Sequence, residues 1–131
     1  MRGLIMRITM WVMFIVGCIE IGANSFFLAN TASGKGLLTA KKFHGDFPPF
    51  ASNRAWMNKI IGSMMLGVIA LLVALFIYKG YSLQRIISYV FAGGMLLMCI
   101  IQAIIYGKKH VPARIGIIIG FAFAAMVYFG V

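Results

Sequence analysis

Hydrophobic positions along this chain gather into four long runs. The first extends from about Ile8 to Ala29 and is interrupted by Glu20, Asn24 and Ser25. The others run from Ile60 to Tyr78, from Ile86 to Tyr106 and from Ile115 to Val131. A helix needs ~20 mostly apolar residues to cross the hydrocarbon of a bilayer, and each run meets that length, the fourth near its short limit. None shows the apolar–polar alternation of a barrel strand. The breakers lie between them, in Lys79-Gly80-Tyr81-Ser82 and in Gly107-Lys108-Lys109-His110-Val111-Pro112. The pattern predicts an all-α, polytopic membrane protein: an antiparallel bundle of four transmembrane helices in a single domain over 1–131. Spans are expected at about 8–29, 60–78, 86–106 and 115–131, with one long interfacial loop at 30–54.

Composition excludes the alternative of a water-soluble globule. Of the 131 residues 63% are hydrophobic and 11% charged, against ~45–50% and ~25% in ordinary soluble domains. A chain this short leaves too much surface exposed to hide so much apolar area inside. The first run could also be read as a targeting segment, because Ile15-Val16-Gly17-Cys18 resembles a bacterial lipoprotein cleavage box. More membrane-like sequence follows Cys18, so a spanning helix is the reading adopted.

Charge then suggests orientation. Lys and Arg number 12 against 2 acidic residues. The side of the first and third loops holds Lys35, Lys41, Lys42, Arg54, Lys59, Lys108, Lys109 and Arg114; the opposite side holds Arg2, Arg7, Lys79 and Arg85. The positive-inside rule places the richer side, loops 1 and 3, in the cytoplasm. These cations also read as contacts for anionic lipid headgroups. Their dispersal between apolar segments argues against nucleic-acid binding. Trp56, Tyr78, Tyr81 and Tyr106 stand near helix ends, where amphipathic rings favour the headgroup region.

Lipid offers no hydrophobic incentive for helices to associate, so close packing and interhelical hydrogen bonds must do it. Small residues recur at Gly116, Gly120 and Ala124, at Ser63 and Gly67, at Ala70 and Ala74, and at Ala92-Gly93-Gly94. These stripes are expected contact faces, either within the chain or towards other copies or a larger membrane protein. Cys18 and Cys99 read as buried free thiols. The 10 Met residues are scattered and read as adaptable packing.

Glu20 carries the candidate chemistry. An acidic group within a span costs at least ~2.5–3.5 kcal/mol on insertion scales, and survives by protonation, pairing or exposure to a polar cavity. Asn24 lies one turn on, and antiparallel threading brings Asn58, Ser63, Gln102 and Tyr106 to the same half of the bilayer. The expected candidate site is therefore a vestibule opening to the cationic side, with Glu20, Asn24, Ser63 and Gln102 around it. A purely structural role, as hydrogen-bonded glue between helices, competes with it. Arg7, the nearest cation in the same helix, is thirteen residues away, roughly 20 Å along the axis. No basic residue falls inside another expected span.

The stretch Gly17-Cys18-Ile19-Glu20-Ile21-Gly22, in the first of four short helices, resembles the small multidrug resistance transporters. That resemblance implies a carboxylate exchanging protons for cationic solutes. The chain departs from that pattern in having no Trp in its third span and a far longer first loop.

That loop contains Phe43, His44, Asp46, Phe47 and Phe50 around Pro48-Pro49, and reads as an interfacial lid over the vestibule. His44 and Asp46 alone make a poor metal site. No metal, cofactor or catalytic motif is evident, so a non-enzyme is expected. Two functions remain: an accessory or assembly subunit packing through small-residue faces, and a small oligomeric proton-coupled transporter built on Glu20.

Overall fold

The computed structural model describes residues 2–32, 53–107 and 111–130. They form four helices: α1 (Arg2–Ala32), α2 (Asn53–Lys79), α3 (Gln84–Tyr106) and α4 (Val111–Gly130). All four are long and apolar enough to cross a membrane, and there is no strand among the described residues. The expected lid, Phe43, His44, Asp46, Phe47 and Phe50, lies outside the described residues.

Hydropathy locates the spans but not the helix starts. α1 begins at Arg2, six residues before the apolar run, and α2 at Asn53, seven before its run. Polar residues such as Arg7 and Lys59 propagate a helix well even where they do not raise hydropathy. Pro112 stands in the first turn of α4, where a missing N–H breaks no intrahelical bond.

The α2–α3 turn is specified locally. Gly80 takes φ 70°, a left-handed conformation that costs glycine nothing. Its N–H donates to the Ile77 carbonyl at 3.2 Å, and the Tyr81 N–H donates to Phe76 at 3.0 Å. This pair of bonds is the Schellman helix ending. Its usual apolar clasp is present too, with the Phe76 and Tyr81 rings edge to face at 5.3 Å.

The helices pack in chain order, most extensively α1 on α2 and α3 on α4, and α4 returns against α1. Met13, Leu66, Val73, Phe91, Phe123 and Val127 belong to the central cluster. Phe91 and Phe123 meet edge to face at 5.2 Å across α3 and α4. Outside, every helix presents large apolar side chains, among them Trp11, Leu72, Ile104 and Phe121. Such an exterior suits hydrocarbon and not water. Tyr78 and Tyr81 are exposed near the α2–α3 turn.

Glycine sets the α1–α2 crossing. A Cβ added to Gly17 would stand 2.7 Å from Leu71 and 2.9 Å from the Gly67 carbonyl; one on Gly67 would stand 3.0 Å from Glu20 Cβ. On the α3–α4 side, a Cβ on Gly116 would collide with Cys99 Sγ, and one on Gly120 would come within 2.7 Å of Leu96. The stripes Ser63–Gly67, Ala70–Ala74 and Gly116–Gly120 are therefore used up within the chain. Ala92 is buried and Gly94 abuts Leu66, whereas Gly93 faces outward. Cys18 departs from expectation: it is exposed on the outer face of α1, and only Cys99 is buried.

Gly17→Ala should consequently lower stability by about 1–3 kcal/mol, the range for overpacking, because backbone as well as side chain stands in the way. Gly22→Ala, where a Cβ meets nothing within 4 Å, should be neutral or gain up to about 1 kcal/mol from helix propensity. Denaturant unfolding in detergent micelles compares the two; equal losses would refute the assigned crossing point.

Candidate functional site: a polar cluster inside the bundle

Polar side chains within the bundle are handled in two ways. Thr9 and Ser88, both fully buried, donate to carbonyls of their own helices: Thr9 Oγ1 to Ile5 and Ser88 Oγ to Gln84, each at 2.7 Å. Back-bonding of this kind satisfies a hydroxyl without any second helix. The remaining buried or half-buried polar side chains come from three different helices.

On α1, Asn24 Nδ2 donates to the Glu20 carbonyl at 2.6 Å and to Glu20 Oε2 at 3.1 Å. The i, i+4 spacing puts both residues on one helix face. Asn24 is buried and Glu20 half-buried. Ser63 from α2 and Gln102 from α3 are buried as well, so three of the four residues of the expected vestibule are enclosed and Glu20 is partly so. Asn58 instead is exposed on α2, and the Tyr106 side chain lies outside the described ones.

One member escapes the sequence reading. Lys59 counts as a loop charge if α2 starts at Ile60, but α2 starts at Asn53. Lys59 thus lies more than a turn inside the helix, and its Nζ is closed off from solvent. Its ammonium is within electrostatic reach of both Glu20 and the Cys99 thiol. The expectation that no basic residue falls inside another span is thereby corrected. A signal was available: Lys59, Ser63 and Gly67 follow one another at four-residue spacing, so the small-residue stripe of α2 extends back to the lysine.

These enclosed groups are spread over three helices. α1 supplies Glu20 and Asn24, α2 Lys59 and Ser63, α3 Cys99 and Gln102, while Gly116 of α4 makes room for Cys99. Chemically the arrangement can hold a proton or a compensated charge pair. Among the described residues no three His, Cys, Asp or Glu side chains gather as metal ligands.

Two apolar grooves lie elsewhere, on the outside. One of about 530 Å³ is lined by Met10, Trp11, Phe14, Leu71, Ala74, Leu75 and Tyr78, between α1 and α2. A smaller one of about 340 Å³ runs along α2 past Ile61, Met65 and Val68.

No protein-family model, curated protein or solved structure matches the chain. The likeness of the Glu20 segment to small multidrug resistance transporters thus stays at the level of that segment.

If Glu20 and Lys59 compensate one another, their substitutions must be non-additive. Glu20→Gln and Lys59→Gln should each destabilise the bundle, and the double variant should recover about 1 kcal/mol relative to the sum, within the range for interacting neighbours. A double-mutant cycle by unfolding in micelles measures this; strictly additive losses would show that the charges ignore each other.

Proposed function

We propose that this small integral membrane protein acts by helix–helix association in the bilayer, as a non-enzymatic accessory or assembly subunit. The observation that carries the reading is the outward seam of α1. Its first half bears large residues, Leu4, Ile8, Trp11 and Ile15; its second half bears Cys18, Gly22, Ser25 and Ala29, all exposed. Small residues at three- and four-residue spacing permit close helix approach, and here the bundle leaves them uncovered. α1 is also the least enclosed span, with 17% of it buried against 44% for α2. Glycine is common in membrane helices for other reasons; the change from large to small along one seam is what favours a contact face. The partner is another membrane helix, from a second copy or a larger protein, with loops 1 and 3 on the cytoplasmic side.

The polar cluster supports a second reading, a proton-coupled transporter of cationic or amphipathic solutes with Glu20 as its carboxylate. Four buried or half-buried polar side chains from three helices favour it. Against it stands Lys59, which already supplies Glu20 with a positive charge that a cationic solute would have to displace.

Two measurements separate the readings. In native membranes, oxidative or bismaleimide cross-linking should trap Cys18 against a partner helix, and Gly22→Leu should reduce the yield severalfold. In liposomes, the purified protein should show no pH-driven flux of cationic solutes. Flux that disappears in Glu20→Gln, from protein that remains folded, would establish the transporter instead.

A further inference from the structure

The larger groove has a composition and a mouth that identify its occupant. Its walls, formed by Met10, Trp11 and Phe14 of α1 and Leu71, Leu75 and Tyr78 of α2, are apolar, and Ala74 forms its floor. From Leu71 to Tyr78 it covers eight residues of helix, a rise of about 10 Å, most of the depth of one hydrocarbon leaflet. Each wall continues at four-residue spacing into a cation. Arg7 precedes Trp11 on α1, and Lys79 follows Leu75 on α2; both are exposed. Antiparallel packing about the Gly17–Gly67 crossing sets the two at the same level. Lys79 Nζ lies 5.8 Å from the centre of the Tyr78 ring, and Trp11 and Tyr78 mark the headgroup region.

Within the described residues these cations have no carboxylate beside them. Among the described residues Glu20 is the only carboxylate, and it stands roughly 20 Å from Arg7 along α1. An apolar slot of this depth, with an exposed cation one helical turn beyond Trp11 and another one turn beyond Leu75, matches an anionic glycerophospholipid. We propose that the α1–α2 groove retains one such lipid, with an acyl chain between Phe14 and Leu75 and its phosphate against Arg7 and Lys79. The site lies in the opposite leaflet from the small-residue half of α1, and does not rest on the association proposed above.

The test reconstitutes the full chain in vesicles of equal phosphatidylglycerol and phosphatidylcholine, re-extracts it in mild detergent and counts retained lipids by native mass spectrometry. Wild-type protein should keep phosphatidylglycerol in preference to phosphatidylcholine. Arg7→Gln combined with Lys79→Gln alters only exposed positions and should weaken retention about tenfold or more, since each cation near a headgroup contributes substantially. Leu75→Trp, filling the slot from its exposed rim, should reduce retention of both lipids. Equal retention of the two lipids by wild type, or undiminished retention in either variant, would overturn the assignment. So would cross-links joining Trp11→Cys in two copies, because a second chain would then occupy the groove.

Discussion

Inside hydrocarbon there is no water to accept or donate a hydrogen bond, so each polar group must find its partner in the chain itself. That constraint orders this molecule. It makes every described span a helix, whose backbone groups pair internally. It leaves two options for a side chain: bond back to its own helix, as Thr9 and Ser88 do, or meet others across the bundle. Asn24 stays within its own helix, reaching the Glu20 carbonyl and the Glu20 carboxylate from one nitrogen. Lys59 of α2, enclosed within electrostatic reach of Glu20 on α1, is where the polar groups of one helix come to depend on another.

The same solvent removes the usual force for burying apolar residues. Leu and Ile gain little by leaving lipid for a protein interior, which is why Ile104, Ile118 and Phe129 can face outward. What holds such a bundle is closeness of approach. Gly17 against Gly67, and Gly116 against Cys99, let backbones come near enough for many dispersion contacts. The internal glycines are therefore committed. The small residues that remain uncovered on α1 are the ones available for another helix, and the face that carries them becomes bulky towards Trp11, where the groove begins.

Much of this architecture is legible in the order of residues alone. The spans follow from apolar run length, and antiparallel threading gathers Asn24, Ser63 and Gln102 towards one interior, because depth along a helix is arithmetic. Rotation is harder. Asn58 and Ser63 fall in the same half of the bilayer, but only Ser63 turns inward, and hydropathy does not distinguish them. Cys18 is misplaced for a related reason: an apolar environment outside makes the inner and outer faces of α1 look alike in sequence. Lys59 is lost to a boundary error. Hydropathy marks where lipid begins, whereas the helix begins where the backbone allows, and a lysine between those two points is read as loop although it is helix.

That boundary residue carries a further consequence. A lysine near the membrane surface can extend its ammonium to water at little cost. Lys59 instead keeps Nζ enclosed, and enclosing a charge is expensive unless an opposite charge offsets it. The return is specificity of register. Two apolar helices sliding past one another by a turn, about 5.4 Å, exchange one set of dispersion contacts for another of similar worth. Here the same slip would remove Gly67 from Gly17 and carry Lys59 away from Glu20 together. Steric fit and electrostatic compensation thus select the same alignment of α1 and α2. The groove between Arg7 and Lys79 depends on that alignment as well, because only in this register do the two cations stand level at its mouth.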